Sequence, residues 1–274
     1  DLEVLHRMPD WRNHVGCSVC FIDECFRESL TLFPRYLDVL RRFDLVIVSF
    51  SGTREALQAA SGVRTLDLSF GVDTCRFFPG IKGPARRIDL FNIGRKDPLQ
   101  HRQFLRLRDE QGWFYLYDTV TPKAVSDHCA HRDNTADLLA RTRFWVVNPA
   151  KFNARHETAG QEEIGFRYYE GAAAGAVMVG FIPDNPNFRE SFPWPDAVME
   201  LPADPEGIPD CLLDLSRKEE RLRRVRFRNV LGSLQGNDFL YRWEAILAAV
   251  GLDPHPAAAQ RRSRLETLME QWTL

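Results

Sequence analysis

The chain has no apolar run approaching the ~18–20 residues that cross a bilayer, which excludes a membrane-spanning helix. It carries no excess charge of either sign. A net charge of −2 argues against a general nucleic-acid binder, whose surface must be strongly basic. It has no disulfide framework. Of six cysteines, Cys17 and Cys20 form a C-x-x-C inside the strand-like run Val15 to Ile22, and no second C-x-x-C follows. Their odd offset places them on opposite faces of a strand, a poor geometry for one metal. The cysteines read as buried free thiols, which implies a reducing, cytoplasmic compartment. No Asp-x-Asp triplet stands at a strand end, so no pair of carboxylates is placed to hold a hard cation. No internal repeats or low-complexity tracts are seen, and no signal peptide is visible in these residues. Asp1 is not an initiator Met, so an N-terminal piece is expected to be missing.

What is present is an alternation. The 274 residues suggest two domains at roughly 150 residues each, and 44 % apolar content suffices for ordinary buried cores. Val15–Ile22 reads as a strand, and Leu30, Phe33, Leu37 and Leu40 as a helical stripe with Pro34 near its start. Asp44–Phe50 reads as a buried strand, Arg54–Ala60 as a helix ended by Gly62, and Val63–Ser69 as a strand. After the Gly- and Pro-containing segment Gly80–Arg87 the alternation restarts. Strands are expected at Ile88–Ile93, Trp113–Tyr117, Phe144–Val147, Ala176–Phe181 and, at an edge, Asp196–Leu201. Helices are expected at Gln103–Gln111, Thr135–Arg141, Arg167–Ala174, Ile208–Leu215 and Lys218–Leu231, with two more after Phe239. The polar stretch Lys151–Gln161, with His156, and the Pro-rich stretch from Ile182 to Pro195 read as loops. The pattern predicts an α/β fold with parallel sheets and helices on both faces.

The richest stretch is Gln161–Gly180, QEEIGFRYYEGAAAGAVMVG. Glu162 and Glu170 stand with seven residues between them, and a loop ending at Gly165 feeds a helix of small residues. The unpaired N–H groups at that helix start favour an anion such as pyrophosphate. A carboxylate further along can accept hydrogen bonds from vicinal ribose hydroxyls. Helical geometry over eight residues turns Glu162 and Glu170 apart, by about 80° at ~100° a step, against their sharing a metal. Two other segments fit this frame. FGVDTCRFFPG, Phe70–Gly80, precedes the linker, and the strand Ile88–Ile93 ends in Gly94-Arg95-Lys96.

These segments resemble retaining glycosyltransferases of the GT-B fold, of the group 1 or family 4-like kind. The acid pair resembles the signature E-P-F-G-x-x-x-x-E-A-x-A-x-G, departing from it at Glu163-Ile164 and at Gly171. Gly71, Val72, Asp73, Phe77 and Pro79 resemble the family's G-V-D-x-x-x-F-x-P, and Gly94-Arg95 the end of the second domain's first strand. The resemblance implies two Rossmann-like domains with parallel sheets facing a cleft. The first, residues 1–80, would be a small or incomplete acceptor-side domain. Residues 81–235 would bind the nucleotide sugar, and helices in 236–274 would pack back on the first domain. The family's early Gly-rich loop has no counterpart here, which fits a truncated chain.

The resemblance further implies a metal-independent hexosyltransferase-like enzyme that moves a sugar from a nucleotide-diphosphate donor to an unknown acceptor, with retention. The acceptor would be a glycan, a lipid-linked or a small molecule, with no cofactor beyond the donor and no nucleic-acid partner. Arg95 would neutralise the leaving diphosphate, since a guanidinium stays charged and grips two oxygens. Glu162 would orient the donor sugar and Glu170 bind the ribose. Gly165, Gly94, Lys96, Glu163 and Ile164 would complete the donor site, with Arg102 a rival to Lys96 as second phosphate ligand. Asp23 and Glu24, ending the first strand, are the acceptor-side candidates. A nucleotide-sugar epimerase of the same fold and a non-catalytic nucleotide-sugar-binding module are the alternatives.

Overall fold

The structure, a computed structural model, describes residues 2–8, 10–32, 34–118 and 125–273; Asp1 and Phe33 of the sequence reading lie outside the described residues. The first unit runs α1 (Leu2–Arg7), β1 (Val19–Ile22), α2 (Pro34–Leu40), β2 (Leu45–Val48), α3 (Arg54–Ser61), β3 (Thr65–Asp67) and the single turn α4 (Thr74–Phe77). Its three strands are parallel in the order β1-β2-β3. Sequential order with right-handed crossovers puts α2 and α3 on one face. There Leu40 and Leu57 pack with Val46, Val48 and Val63. The expected stripe from Leu30 is broken. Leu30 sits in a 3₁₀ turn, Arg27–Leu32, and the regular helix begins at Pro34, whose missing N–H suits a first helical position.

The second unit runs β4 (Ile88–Asn92), α5 (Pro98–Gln111), β5 (Tyr115–Tyr117), α6 (His128–Ala140), β6 (Thr142–Val147), α7 (Arg155–Thr158), α8 (Phe166–Ala173), β7 (Val177–Gly180), α9 (Pro186–Ser191) and β8 (Val198–Glu200). Helices α10 (Ile208–Ser216), α11 (Glu219–Gly236), α12 (Phe239–Ala249) and α13 (Ala257–Thr273) follow. Its five parallel strands lie in the order β5-β4-β6-β7-β8. The chain steps outward from β4 to β5, then returns past β4 to β6. Helices α6 and α8 therefore cover one face, around Leu139, Trp145, Tyr168 and Met178. The opposite face is covered by α5, α10 and α11 around Leu90, Phe104, Leu212 and Val225. The reversal leaves a crevice beyond the carboxyl ends of β4 and β6, where open α/β sheets bind ligands.

Side-chain caps explain where sequence boundaries were drawn short. Asp97 accepts from the N–H groups of Leu99 and Gln100, both at 2.9 Å, and starts α5 at Pro98 rather than Gln103. Asp127 starts α6 at His128 in the same way. The Pro-rich stretch is not wholly irregular, for Asn185 caps α9 with Pro186 in its first turn. A single turn, α7, likewise interrupts the expected loop at 151–161. The cysteines are free, but none is buried: Cys17 and Cys129 are exposed and the other four half-buried. Cys17 precedes β1 rather than lying inside it.

Helix α12 crosses back to the first unit. Arg242 Nε donates to the carbonyls of Ser69 and Phe70, each at 2.9 Å, and Arg64 donates to the Ala249 carbonyl at 2.8 Å. Where the chain crosses out and where it returns, it is stitched together. Val72 and Asp238 form a parallel bridge, and buried Asp238 accepts from Thr74 and Arg261. Burial alone would raise the Asp238 carboxyl, but the bonds from Arg261 and Thr74 hold it below its ordinary value.

The departure at Gly171 has a steric cause. A Cβ there would stand 2.4 Å from Trp145 Cδ1, and the indole is held by its N–H to the Arg167 carbonyl at 2.9 Å. Gly171→Ala is expected to cost about 1–3 kcal/mol, the range for overpacking a core. Adding Trp145→Phe should recover part of it. A single Gly171→Ala variant that melts at the wild-type temperature would show that this approach does not require glycine.

Candidate functional site

The crevice between β4 and β6 is built first by backbone. Strand β4 ends at Asn92, and Gly94 follows with φ of 77°, a left-handed conformation that glycine adopts without strain. Its N–H donates to both oxygens of Asp118, just past β5, at 3.1 Å each. Lys96 also closes on Asp118, with Nζ against the carboxylate, 3.0 Å from its carbonyl and 3.3 Å from the Gly94 carbonyl. Burial would raise the Asp118 carboxyl, but Lys96 and the Gly94 N–H bring it below its usual value. Lys96 is thus a strut between β4 and β5. Arg95 between them is exposed, and its recorded bond among the described residues is a long one, 3.4 Å to Asn153 Oδ1. Arg102 lies exposed on α5.

The N-terminus of α8 enters the same crevice. Gly165 is its N-cap, in extended conformation and without a side-chain cap, so the first amides of the helix stay available. Ile164 just before it is fully buried in the core and anchors the turn from within. Glu170, on the fifth residue of the helix, is buried at 6 % exposure and accepts from Arg132 of α6. Arg167, in the first turn of α8, reaches back to β4. Its Nε donates to the Ile93 carbonyl at 3.0 Å, and its guanidinium lies where a Gly94 side chain would be. Burial pushes Arg167 below its ordinary pKa, with Glu170 and Asp118 opposing.

Glu162 stands exposed in the loop before α8, outside the helix, so the helical angle between the two acids expected from sequence does not apply. It lines a cavity of about 260 Å³ with Asp97, Phe152, Arg155, Gln161 and Phe181. Its neighbour Glu163 is fully buried. One carboxylate oxygen accepts from the Gly52 N–H at 3.0 Å and Gln161 Nε2 at 2.6 Å, the other from Asn185 Nδ2 at 2.6 Å. Burial still raises Glu163 above its usual value despite these donors. The geometry makes Glu163 a clasp, since Gly52 belongs to the first unit and Asn185 to the second.

More contacts cross the junction. Asn187 donates to the Ser49 carbonyl and to Asp67 Oδ1, and the Arg27 N–H donates to Gln161 Oε1. The carboxyl ends of both sheets therefore face the same junction. Asp23 and Glu24 are exposed there, after β1, with the Asp23 carbonyl accepting from Ser49 Oγ. Partial desolvation of its carboxyl group, then the adjacent Glu24, raises Asp23 above its ordinary value. His156 is exposed on α7, beside Glu157.

The structure brings Gly94, Arg95, Gly165 and Glu170 to the carboxyl-end crevice, the end of β4 and the start of α8 being tied by Arg167, whereas Glu162 lines the cavity with Asp97 and Phe181. Sequence reasoning missed Arg132, Arg167 and Asp118. Arg167 lies inside the quoted signature, but nothing in its spacing distinguishes it from a solvated helix residue.

No known family model matches this chain, and no curated protein matches it in sequence. Solved structures share its fold. The UDP complex of Anabaena Alr3699/HepE superposes with a TM-score of 0.59 over 92 % of this chain and 77 % of its own, at 13 % identity. A UDP-forming α,α-trehalose-phosphate synthase from Burkholderia vietnamiensis gives 0.58 over 93 % and 70 %, at 13 % identity. An α-glucosyltransferase in complex with UDP-glucose and DNA containing an abasic site gives 0.56 over 91 % and 76 %, at 12 % identity. The fold is the GT-B fold, two Rossmann-like units with parallel sheets facing one another.

Proposed function

We propose that the chain transfers a sugar from a nucleoside-diphosphate donor to an acceptor hydroxyl, with retention at the anomeric carbon. One observation carries the reading: Gly94-Arg95, the uncapped start of α8 and the buried Glu170 converge at the switch point of the second sheet. The UDP and UDP-glucose of the structural neighbours support it. The diphosphate lies against the α8 amides and Arg95, the ribose against Glu170, and the sugar toward Glu162. The acceptor oxygen bonds to the anomeric carbon as that carbon's bond to the diphosphate oxygen breaks. The hydroxyl proton leaves with the diphosphate. Negative charge grows on the leaving group, so fixed positive charge there lowers the barrier.

That charge comes from arginine and helix amides in this reading, and a metal is not required. Among the described residues no three His, Cys, Asp or Glu side chains gather as a metal site. A panel of UDP-, GDP-, ADP- and TDP-sugars tests the reading. One donor should raise the thermal midpoint, since a ligand at 100 Kd adds about 2.7 kcal/mol. Its consumption should persist in excess EDTA. A panel with no shift overturns the reading. Activity lost to chelation and restored by Mn²⁺ would give Glu162 and Glu170 to a metal and withdraw their roles.

A further inference from the structure

Two cations were candidates to help Arg95 at the diphosphate, and the geometry favours neither. Lys96 is spent on Asp118 and the Gly94 carbonyl, and Arg102 lies out on α5. We infer that Arg167 is the second cation of the diphosphate site, an inference that rests on the donor reading above.

Three observations carry it. Arg167 belongs to the first turn of α8, so its charge adds to the uncapped amides that already favour an anion there. Its guanidinium occupies the space over Gly94, where a Cβ would come within 2.3 Å of it, so the left-handed glycine that ends β4 also makes room for the cation. The third observation concerns its partners. The two acids whose charges act on it are engaged elsewhere, Glu170 with Arg132 and Asp118 with Lys96. Arg167 forms no ion pair among the described residues, and its recorded side-chain bond is Nε to the Ile93 carbonyl. A guanidinium drawn from water and held by a carbonyl has donors left for an anion, and its planar fork suits two phosphate oxygens. Partial burial lowers the cost of such a contact further, because less water must be stripped from the guanidinium when the anion arrives.

A purely structural role, tying α8 to β4 through Ile93, is the competing account. Arg167→Gln separates the two, because the amide can still donate to the Ile93 carbonyl while the charge is gone. The experiment is calorimetric titration of the full chain with UDP, GDP, ADP and TDP. The tightest diphosphate is then compared with its own nucleoside. Arg167→Gln should weaken the diphosphate at least tenfold and leave the nucleoside within twofold. Arg167→Lys should restore part of the loss, and binding should depend less steeply on salt in the Gln variant than in wild type. A Gln variant that binds the diphosphate like wild type overturns the inference and leaves the donor reading standing. Equal losses for diphosphate and nucleoside also overturn it, as the mark of a disturbed fold. A wild-type chain that binds none of the four overturns both readings.

Discussion

Replacing Arg95 by alanine is expected to lower turnover roughly a hundredfold, the scale for removing one fixed donor at a developing charge. Binding of the nucleotide should weaken much less, because the leaving group carries more charge in the transition state than in the bound donor. Arg95 is exposed, with a 3.4 Å contact to Asn153. Its loss should leave the melting temperature unchanged, as for most surface substitutions. Arg95→Lys should recover only part of the rate, since an ammonium cannot grip two oxygens in one plane. Steady-state kinetics with the donor found by the panel decide it. Normal turnover in Arg95→Ala would mean that the Gly94-Arg95 match is coincidental.

Glu170→Ala should produce two separable losses. The first is affinity. Removing charge-assisted hydrogen bonds to ribose, each worth about 1.5–3 kcal/mol before solvent discounts, should weaken nucleotide binding at least tenfold. The second is stability, which follows from the Arg132 contact. Breaking a fully buried ion pair costs about 3–5 kcal/mol, but Arg132 keeps 31 % of its side chain exposed and can rehydrate. A loss of about 1–2 kcal/mol is expected, read from chemical denaturation. The double variant Arg132→Ala with Glu170→Ala should recover some stability and none of the affinity. Calorimetry showing unchanged affinity for the free nucleotide would sink the assignment of Glu170 to ribose.

Much of the architecture was legible because its signals are local. Buried parallel strands such as Leu45–Val48 are continuous apolar runs, and Gly62 and Gly165 sit where helices stop and start. The acid pair and Gly94-Arg95 could be placed because each rides on a strand end or helix start set by such signals. The partners could not. Asp118 is 24 residues from Gly94, Arg132 is 38 from Glu170, and Ile93 is 74 from Arg167. No period links residues so far apart; only the return of the chain past β4 brings them together. Glu163 illustrates the same limit. Its place in the signature suggested the donor, while its burial among Gly52, Gln161 and Asn185 depends on how the first unit docks. Asn185 is a different kind of miss. Asn before Pro is a helix-start signal, and the density of prolines around it hid one turn and a half of helix.

The junction has a thermodynamic consequence. Phe26, Phe50 and Phe70 of the first unit belong to the same buried cluster as Ile164, Tyr168 and Tyr169 of the second, and Phe70 lies 4.1 Å from the Phe166 ring, centroid to centroid. Separating the units would hydrate those rings as well as break the polar contacts around Glu163. Units joined by a small wet interface melt one at a time; units that share an apolar core do not. The three-stranded sheet, too small to bury much surface by itself, borrows its cooperativity from the larger one. Heat therefore has no cheap first step, and the crevice survives for as long as the whole chain stays folded.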